Sequence, residues 1–493
     1  MNSVTNPLVT RPDELSDKHS KRIQEYSKMW KFYDGDHWDR DRAVERLITF
    51  NYSKAIVEKS VSFLFGKGFR IKPHKDYTEI KEMVEEVWQY NNKDITGIEI
   101  GQMGAVTGDS FIRVSWENGK KNSQGIPHDL EYPDGKVRID VLSSSMVFPE
   151  YATHNKNEMV SCKIIYVILQ KDEKSGKIQP KLYKEEITRD KIKYYVDDKL
   201  QKEIDNVVGK INVVHIRNLP KAGKSYGQSD LKAVTDLQKE LNEKVTDVSD
   251  IINYHAAPIT IIKGAKSKNL EKGARKVWGG LPADADVYNL KLESDLGASN
   301  KYIGKIKTAI SELSNTPEDS LGGESNISNT TGVALRVKYA PLLEKTWIKR
   351  RTYGRGIKEV CKLILLYLKV KGDEEQQDIL DEVIDGDDPK EIRKLFDFTI
   401  KFPDPLPKDE LVELQKIAQK LNMGIETPKG ALEELGYEGN IQEKLDEIRE
   451  YQKQAQRDMF DIGSENSAEN IDIGGIKSDL DGKVENEQQG LEE

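Results

Sequence analysis

Apolar residues return at every third or fourth position at Leu231, Val234, Leu237, Leu241, Val245, Val248 and Ile252, which lines them up as one narrow stripe of an α-helix. The spacing predicts a helix from Ser229 to about Tyr254, with Ser229 as its N-cap and Asp230 at its positive end. Such a helix is roughly 40 Å long, at ~1.5 Å per residue. So thin a stripe suits packing against a few neighbours rather than burial inside a globule. A partner helix is predicted over about Ser299 to Leu313, with Tyr302, Ile303, Ile306, Ile310 and Leu313 on its apolar side and Lys301, Lys305 and Thr308 elsewhere. Between the two, residues 255–294 hold two strand-like pieces, PITIIKG and ADVYNLKLE.

The same reading organises the rest of the chain. A helix is predicted from about Glu14 to Trp38, closing on the turn Asp34-Gly35-Asp36. A second begins near Asn51, with Ile56, Val57, Val61, Leu64 and Phe65 at core spacing, and YTEIKEMVEEVWQYNN is a third. IEIGQMGAVTGDSFIRVSWENG reads as a helix that turns at Gly108-Asp109 into a strand, Ser110 to Trp116. Strands then dominate to Leu219, in KVRIDVLS, SCKIIYVILQ, IKYYV and INVVHI. After the second long helix, NTPEDSLGGESNISNTTG (315–332) is a loop. A helix is expected from near Thr331, kinked at Pro341 and continuing through LLEKTWIKRRTYGRGIKEVCKLILLYLKV. An acidic linker, the FDFTIKF strand and a final set of helices to about Arg457 complete an α+β, predominantly helical chain.

Length and charge refine this picture. The 493 residues suggest roughly three structural units. Of the net charge of −9, residues 461–493 carry −8, with ten Asp/Glu against Lys477 and Lys483. That tail has too little apolar surface to offset its ordering entropy and is read as disordered. The body is therefore near neutral, which argues against a protein that grips DNA through many phosphate contacts. No apolar run approaches the ~20 residues that span a bilayer. Cys162 and Cys361 are far apart in apolar surroundings, as core thiols in a reducing compartment would be.

The chemistry of catalysis is sparse. Gly223-Lys224-Ser225 matches the end of a P-loop, but Asn218 stands where its first glycine belongs and Pro220 removes an N–H donor from the cradle. HExxH, paired CxxC, Gly-x-Ser-x-Gly and GxGxxG patterns are missing from the sequence, and His37 beside Trp38 reads as a turn residue. No catalytic, cofactor or metal site is expected. The segment KGAKSKNLEKGARK carries Lys263, Lys266, Lys268, Lys272, Arg275 and Lys276 against Glu271. It is either a solvated basic helix or a docking surface for an acidic partner or DNA phosphates.

Two long helices bracketing a small basic insertion, then a flexible loop, a further helix and a helical cap resemble the layout of portal proteins of tailed double-stranded DNA bacteriophages. KFYDGDHW, AVTGDSFIRV, NLPKAGKSYGQSDLKAVTDLQKELN, TTGVALRVKYAPLLEK and PLPKDELVELQKIAQKLNMGIETPKGALEEL are similar, in that order, to segments of the family. The resemblance implies a ring of about twelve subunits at one capsid vertex, with a wing (1–225, continued by the kinked helix and wing return, 332–403) and a crown (404–460). Its stem helices would be 226–254 and 295–314, its clip 255–294 and its tunnel loop 315–331, ahead of the acidic tail 461–493. Gly223 and Gly227 would then turn the chain from wing into stem. The resemblance further implies a virion protein, assembled in the host cytoplasm, that has no catalytic activity or cofactor. It would pass double-stranded DNA and meet the terminase large subunit, a head-tail adaptor, and the major capsid and scaffolding proteins. Leu321, Asn326, Ile327 and Asn329 would approach DNA, Lys301 and Lys305 would line the stem channel, and the six basic residues from Lys263 to Lys276 would dock terminase or connector. A monomeric helical scaffold, and a P-loop-like nucleotide-binding enzyme with less in its favour, remain as alternatives.

Overall fold

The computed structural model describes residues 17–38, 47–75, 77, 79–121, 123, 127–171, 178–256, 260–264, 285–289, 296–321, 332–384, 388–406, 410–435, 437 and 440–465. In chain order the elements are α1 (Asp17–Asp34), α2 (Tyr52–Phe65), β1 (Arg70–Lys72), α3 (Glu79–Tyr90), α4 (Lys93–Thr107), β2 (Asp109–Asn118), β3 (Gly135–Leu142), β4 (Val147–Tyr151), β5 (Met159–Lys171), β6 (Ile178–Ile187), β7 (Lys191–Val196), β8 (Lys199–Asp205) and β9 (Val213–Arg217). They continue with α5 (Thr235–Ala256), β10 (Thr260–Lys263), β11 (Asp286–Asn289), α6 (Leu296–Ser314), α7 (Gly332–Lys338), α8 (Ala340–Lys371), α9 (Glu374–Ile384), α10 (Pro389–Leu395), β12 (Thr399–Lys401), α11 (Glu410–Asn422), α12 (Pro428–Glu434) and α13 (Ile441–Glu465). Residues 1–406 and 407–493 are two separate compact units.

In the first unit α8 is the axis of the main core. Tyr353, Ile357, Val360, Cys361 and Ile364 on it meet Val84 and Trp88 of α3, Ile112 and Val114 of β2, and Ile216 of β9. The antiparallel sheet β3-β2-β9 lies on this core. A five-stranded antiparallel sheet, β4-β5-β6-β7-β8, shares a second cluster with it, in which Phe111 and Val213 pack with Cys162, Ile164 and Ile187. A bidentate pair, Arg113 to Glu185 at 2.7 and 2.8 Å, joins β2 to β6 across that seam. Cys162 and Cys361 are both buried as expected, and burial pushes each thiol up to about 12. In the second unit Ile417, Ala431 and Leu445 are buried, and Lys420 pairs with Glu434 at 2.7 Å.

Four expectations need correction. The long helix begins at Thr235, not Ser229, because residues 229–234 turn back on α4: the Asp230 N–H and the Ser229 hydroxyl both donate to the Ala105 carbonyl. Pro341 does not kink a helix but starts one, in the first turn of α8 where its missing N–H costs nothing, with Tyr339 separating α7 from α8. The acidic stretch after Lys371 is not a linker, because α9 forms there and buries Leu380. Helix α13 runs to Glu465, into the segment read as a disordered tail; the rest of that tail lies outside the described residues.

Candidate functional site

Helices α5 and α6 pack side by side, with Ile303, Ile306 and Ile310 of α6 against the cluster that holds Leu231, Val234 and Leu241. Tyr302 and Leu313, expected on the packed side, are 47% and 54% exposed. Between the two helices in sequence, β10 and β11 form an antiparallel pair from Thr260↔Asn289 to Lys263↔Asp286. A second edge of α5 is polar and buried. Gln238 donates to the Phe50 carbonyl at 2.6 Å, Asn242 accepts from the Phe50 N–H at 2.9 Å, and Thr246 accepts from the Ile48 N–H at 3.2 Å. Asn242 also donates to Nδ1 of His37, whose Nε2 donates to the Phe32 carbonyl at 2.8 Å. His37 is therefore a buried clamp between α1 and α5 rather than an ordinary turn residue, and burial lowers its pKa.

The root of the helix pair is an ion node. Asp230 accepts from Asn218 at 3.0 Å, lies 3.4 Å from the Lys345 ammonium and is in direct contact with Lys349. Lys349 also donates to Ser60 of α2 at 2.7 Å, and Lys345 to the carbonyl of Ser314, the last residue of α6, at 3.0 Å. Tyr353 donates to Asn218 at 2.9 Å. Burial alone would raise the Asp230 carboxyl, but the Lys345 and Lys349 charges overcome it and hold it well below the usual carboxylate range. Burial, helped by the like charge of Lys345, lowers the Lys349 ammonium to about 8 even though Asp230 raises it. One carboxylate thus ties the chain entering α5 and, through Lys345, the end of α6 to α8. The two lysines occupy the buried face of α8 with Leu342, Thr346 and Tyr353. Their spacing of four on an apolar stripe is the sequence signal that could have found them.

A second node orients the turn into α5. Asp109 accepts from the Gly227 N–H at 2.8 Å, from the Tyr26 hydroxyl at 2.6 Å and from His215 Nε2 at 2.7 Å. Since a carboxylate only accepts, Nε2 carries the imidazole proton and Nδ1 accepts from the Tyr151 hydroxyl. Burial and the Asp109 charge push the Tyr26 hydroxyl well up. Residues 219–228 form a small hairpin, with the Gln228 N–H donating to the Leu219 carbonyl at 2.9 Å and Gly223 in the left-handed region at φ +73°. Gly223-Lys224-Ser225 thus sits in a hairpin and not at a helix N-terminus, so no phosphate cradle forms. A Cβ on Gly227 would stand 2.2 Å from the Gly108 carbonyl oxygen. Gly227→Ala is accordingly expected to cost about 1–3 kcal/mol through overpacking, measurable as a lowered denaturant midpoint.

The other residues singled out from sequence are placed as follows. Lys301 and Lys305 are exposed on α6, away from Ile303, Ile306 and Ile310. Leu321 ends a 3₁₀ turn, Glu318–Leu321, and packs partly buried against the α5–α6 cluster, where it lines a cavity of about 240 Å³ with Tyr52, Lys307 and Ile310. Lys263 is exposed at the end of β10, its ammonium 5.6 Å from the Tyr288 ring. Lys266, Lys268, Lys272, Arg275, Lys276, Asn326, Ile327 and Asn329 lie outside the described residues. Among the described residues no cluster of metal-ligating side chains occurs, and no helix is long and apolar enough to cross a membrane.

A family model described as "Phage portal protein, SPP1 Gp6-like" matches residues 13–458. No curated protein matches the chain. Among solved structures, a chain of the "Virion of native gene transfer agent (GTA) particle" is similar at 10% identity with a TM-score of 0.41, covering 84% of this chain and 94% of that one.

Proposed function

Because the chain belongs to the SPP1 Gp6-like phage portal protein family, we propose that it forms a ring of about twelve subunits at one capsid vertex and serves as the conduit for packaged and ejected DNA. The family match over nearly the whole chain carries this reading. In the ring, α5 and α6 are the stem, the β10–β11 unit the clip, the segment after α6 the tunnel loop, α11 to α13 the crown, and the rest of residues 1–403 the wing. Its role is structural. Lys301 and Lys305 turn toward the channel, and Leu321, Asn326, Ile327 and Asn329 approach DNA. The basic residues from Lys263 to Lys276 dock the terminase large subunit during packaging and a head-tail adaptor afterwards, while the wing and crown meet capsid and scaffolding proteins in the virion.

The charge balance suits a conduit. Each phosphate neutralised by Lys or Arg adds affinity that moving DNA must overcome, and residues 1–460 carry almost none of the net charge of −9. The test is native mass together with negative-stain images of the same sample. The expected particle is about twelve times 56.1 kDa with a central hole; a chain that stays monomeric with and without scaffolding protein would overturn the reading.

A further inference from the structure

The first unit carries two unmatched charged surfaces. Two adjoining cavities, of about 580 and 740 Å³, meet at Lys156 and Ser225 beside the 219–228 hairpin. Together they are lined by eleven Lys and Arg side chains against three carboxylates. Two of these carboxylates are already matched, Glu25 in contact with Lys232 and Glu359 with Lys362, and Lys21, Lys221, Lys224, Arg351 and Arg355 have no carboxylate partner among the described residues. Beside this cleft the exposed face of α8 presents Trp347, 55% exposed, four and eight residues before Arg351 and Arg355, with Ile348, 49% exposed, next to it. Residues at that spacing share one helix face. A solvent-facing tryptophan and isoleucine beside arginines is the composition that interface centres favour.

The complement is on α9. Glu374, Asp378 and Glu382 recur every four residues along its exposed side with Glu375 beside them, and none has a basic partner among the described residues, whereas Asp381 is paired with Lys369 at 3.2 Å. We infer that the cationic cleft and the Trp347 face of one copy receive the α9 carboxylate stripe of the next copy. Four-residue spacing on both helices lets successive carboxylates meet Arg351 and Arg355 in register, and burying Trp347 supplies the apolar area that exposed ion pairs do not. A contact between two different surfaces of one chain is heterologous, and its repetition closes a ring when the rotation allows. The inference rests on the ring reading and adds to it a contact and a register.

Charge reversal tests it on the full chain. Arg351→Glu/Arg355→Glu and Asp378→Lys/Glu382→Lys are each expected to shift the native mass from the assembled particle to the 56.1 kDa of one chain, with unchanged far-UV circular dichroism. Carrying all four changes in one chain is expected to restore the particle, and Trp347→Ala to raise at least tenfold the protein concentration needed for assembly. If both double variants assemble like the parent, or the fourfold variant stays monomeric, the inference fails while the ring stands. A double variant at Arg351 and Arg355 that assembles normally but loses retention of a double-stranded DNA probe would overturn it in favour of a phosphate site. A parent chain that stays monomeric with and without scaffolding protein would overturn the ring reading itself.

Discussion

Asp230→Ala is expected to lower the free energy of unfolding by about 3–5 kcal/mol, because it leaves two buried ammonium groups without their counter-ion. Lys349 is 1% exposed and Lys345 7%, so neither reaches water without opening the contact of α8 with α2 and α6. Lys349→Met is expected to cost much less: Asp230 keeps Lys345 and Asn218, and a methionine fills most of the lysine's volume. Denaturant unfolding of the two variants beside the parent measures the asymmetry, and equal losses would show that the node is not electrostatic. The pH dependence has two arms. The Asp230 pKa lies below its ordinary 3.8, so its contribution is complete above that pH and is withdrawn as the pH falls further. Lys349 is lowered to about 8 from 10.5; between those values the unfolded chain holds a proton that the folded chain has released, so this group makes stability rise with pH there. Lys349→Met is expected to remove the alkaline arm and leave the acid one.

Asp109→Ala is the second large effect. It strands three donors at once, the Tyr26 hydroxyl, His215 Nε2 and the Gly227 N–H, and an unsatisfied buried donor costs about 1–3 kcal/mol. Since the three share one acceptor their costs do not add fully, and a loss of about 3–5 kcal/mol is expected. Asp109→Asn is expected to cost less than half of that. Its Oδ1 still accepts from both the Gly227 N–H and His215 Nε2, and its amide takes the place of Oδ2 and donates to the Tyr26 hydroxyl, which turns to accept it. The distinguishing measurement is amide hydrogen exchange at Gly227: fast in the alanine variant and close to the parent rate in the asparagine variant. A parent-like Gly227 amide in Asp109→Ala would show that the hairpin holds the turn without the carboxylate.

How legible this was follows from what each residue does. The α5 and α6 stripes were readable because leucine, valine and isoleucine at helical spacing leave one face to bury. Residues 229–234 were not, because Ser229 and Asp230 look like a helix cap while they bond to Ala105, Asn218 and the α8 lysines, a use that only tertiary structure assigns. Lys345 and Lys349 were hidden by composition, since in a chain that is 33% charged a lysine reads as surface. For the same reason the acidic residues of α9 read as a linker, although Ile379, Leu380, Val383 and Ile384 have the spacing of a packed helix. The polar edge of α5 escaped for the opposite reason: Gln238, Asn242 and Thr246 repeat every four residues, but a polar repeat has no obvious partner until residues 48–50 are seen beside it.

The two cysteines, one in each of the clusters flanking the β3-β2-β9 sheet, give the molecule a pair of internal clocks. The thiolate is the species that reacts with alkylating reagents, and both thiols are buried with pKa values of about 12, so the intact fold is silent to such reagents. Modification then proceeds only as often as the surrounding side chains part. Cys162 times the opening of the seam between the sheets, and Cys361 that of the α8 core. The ratio of the two labelling rates, read by mass spectrometry, reports which breathes first, and a single cysteine placed on an exposed helix face can be tagged selectively without removing either.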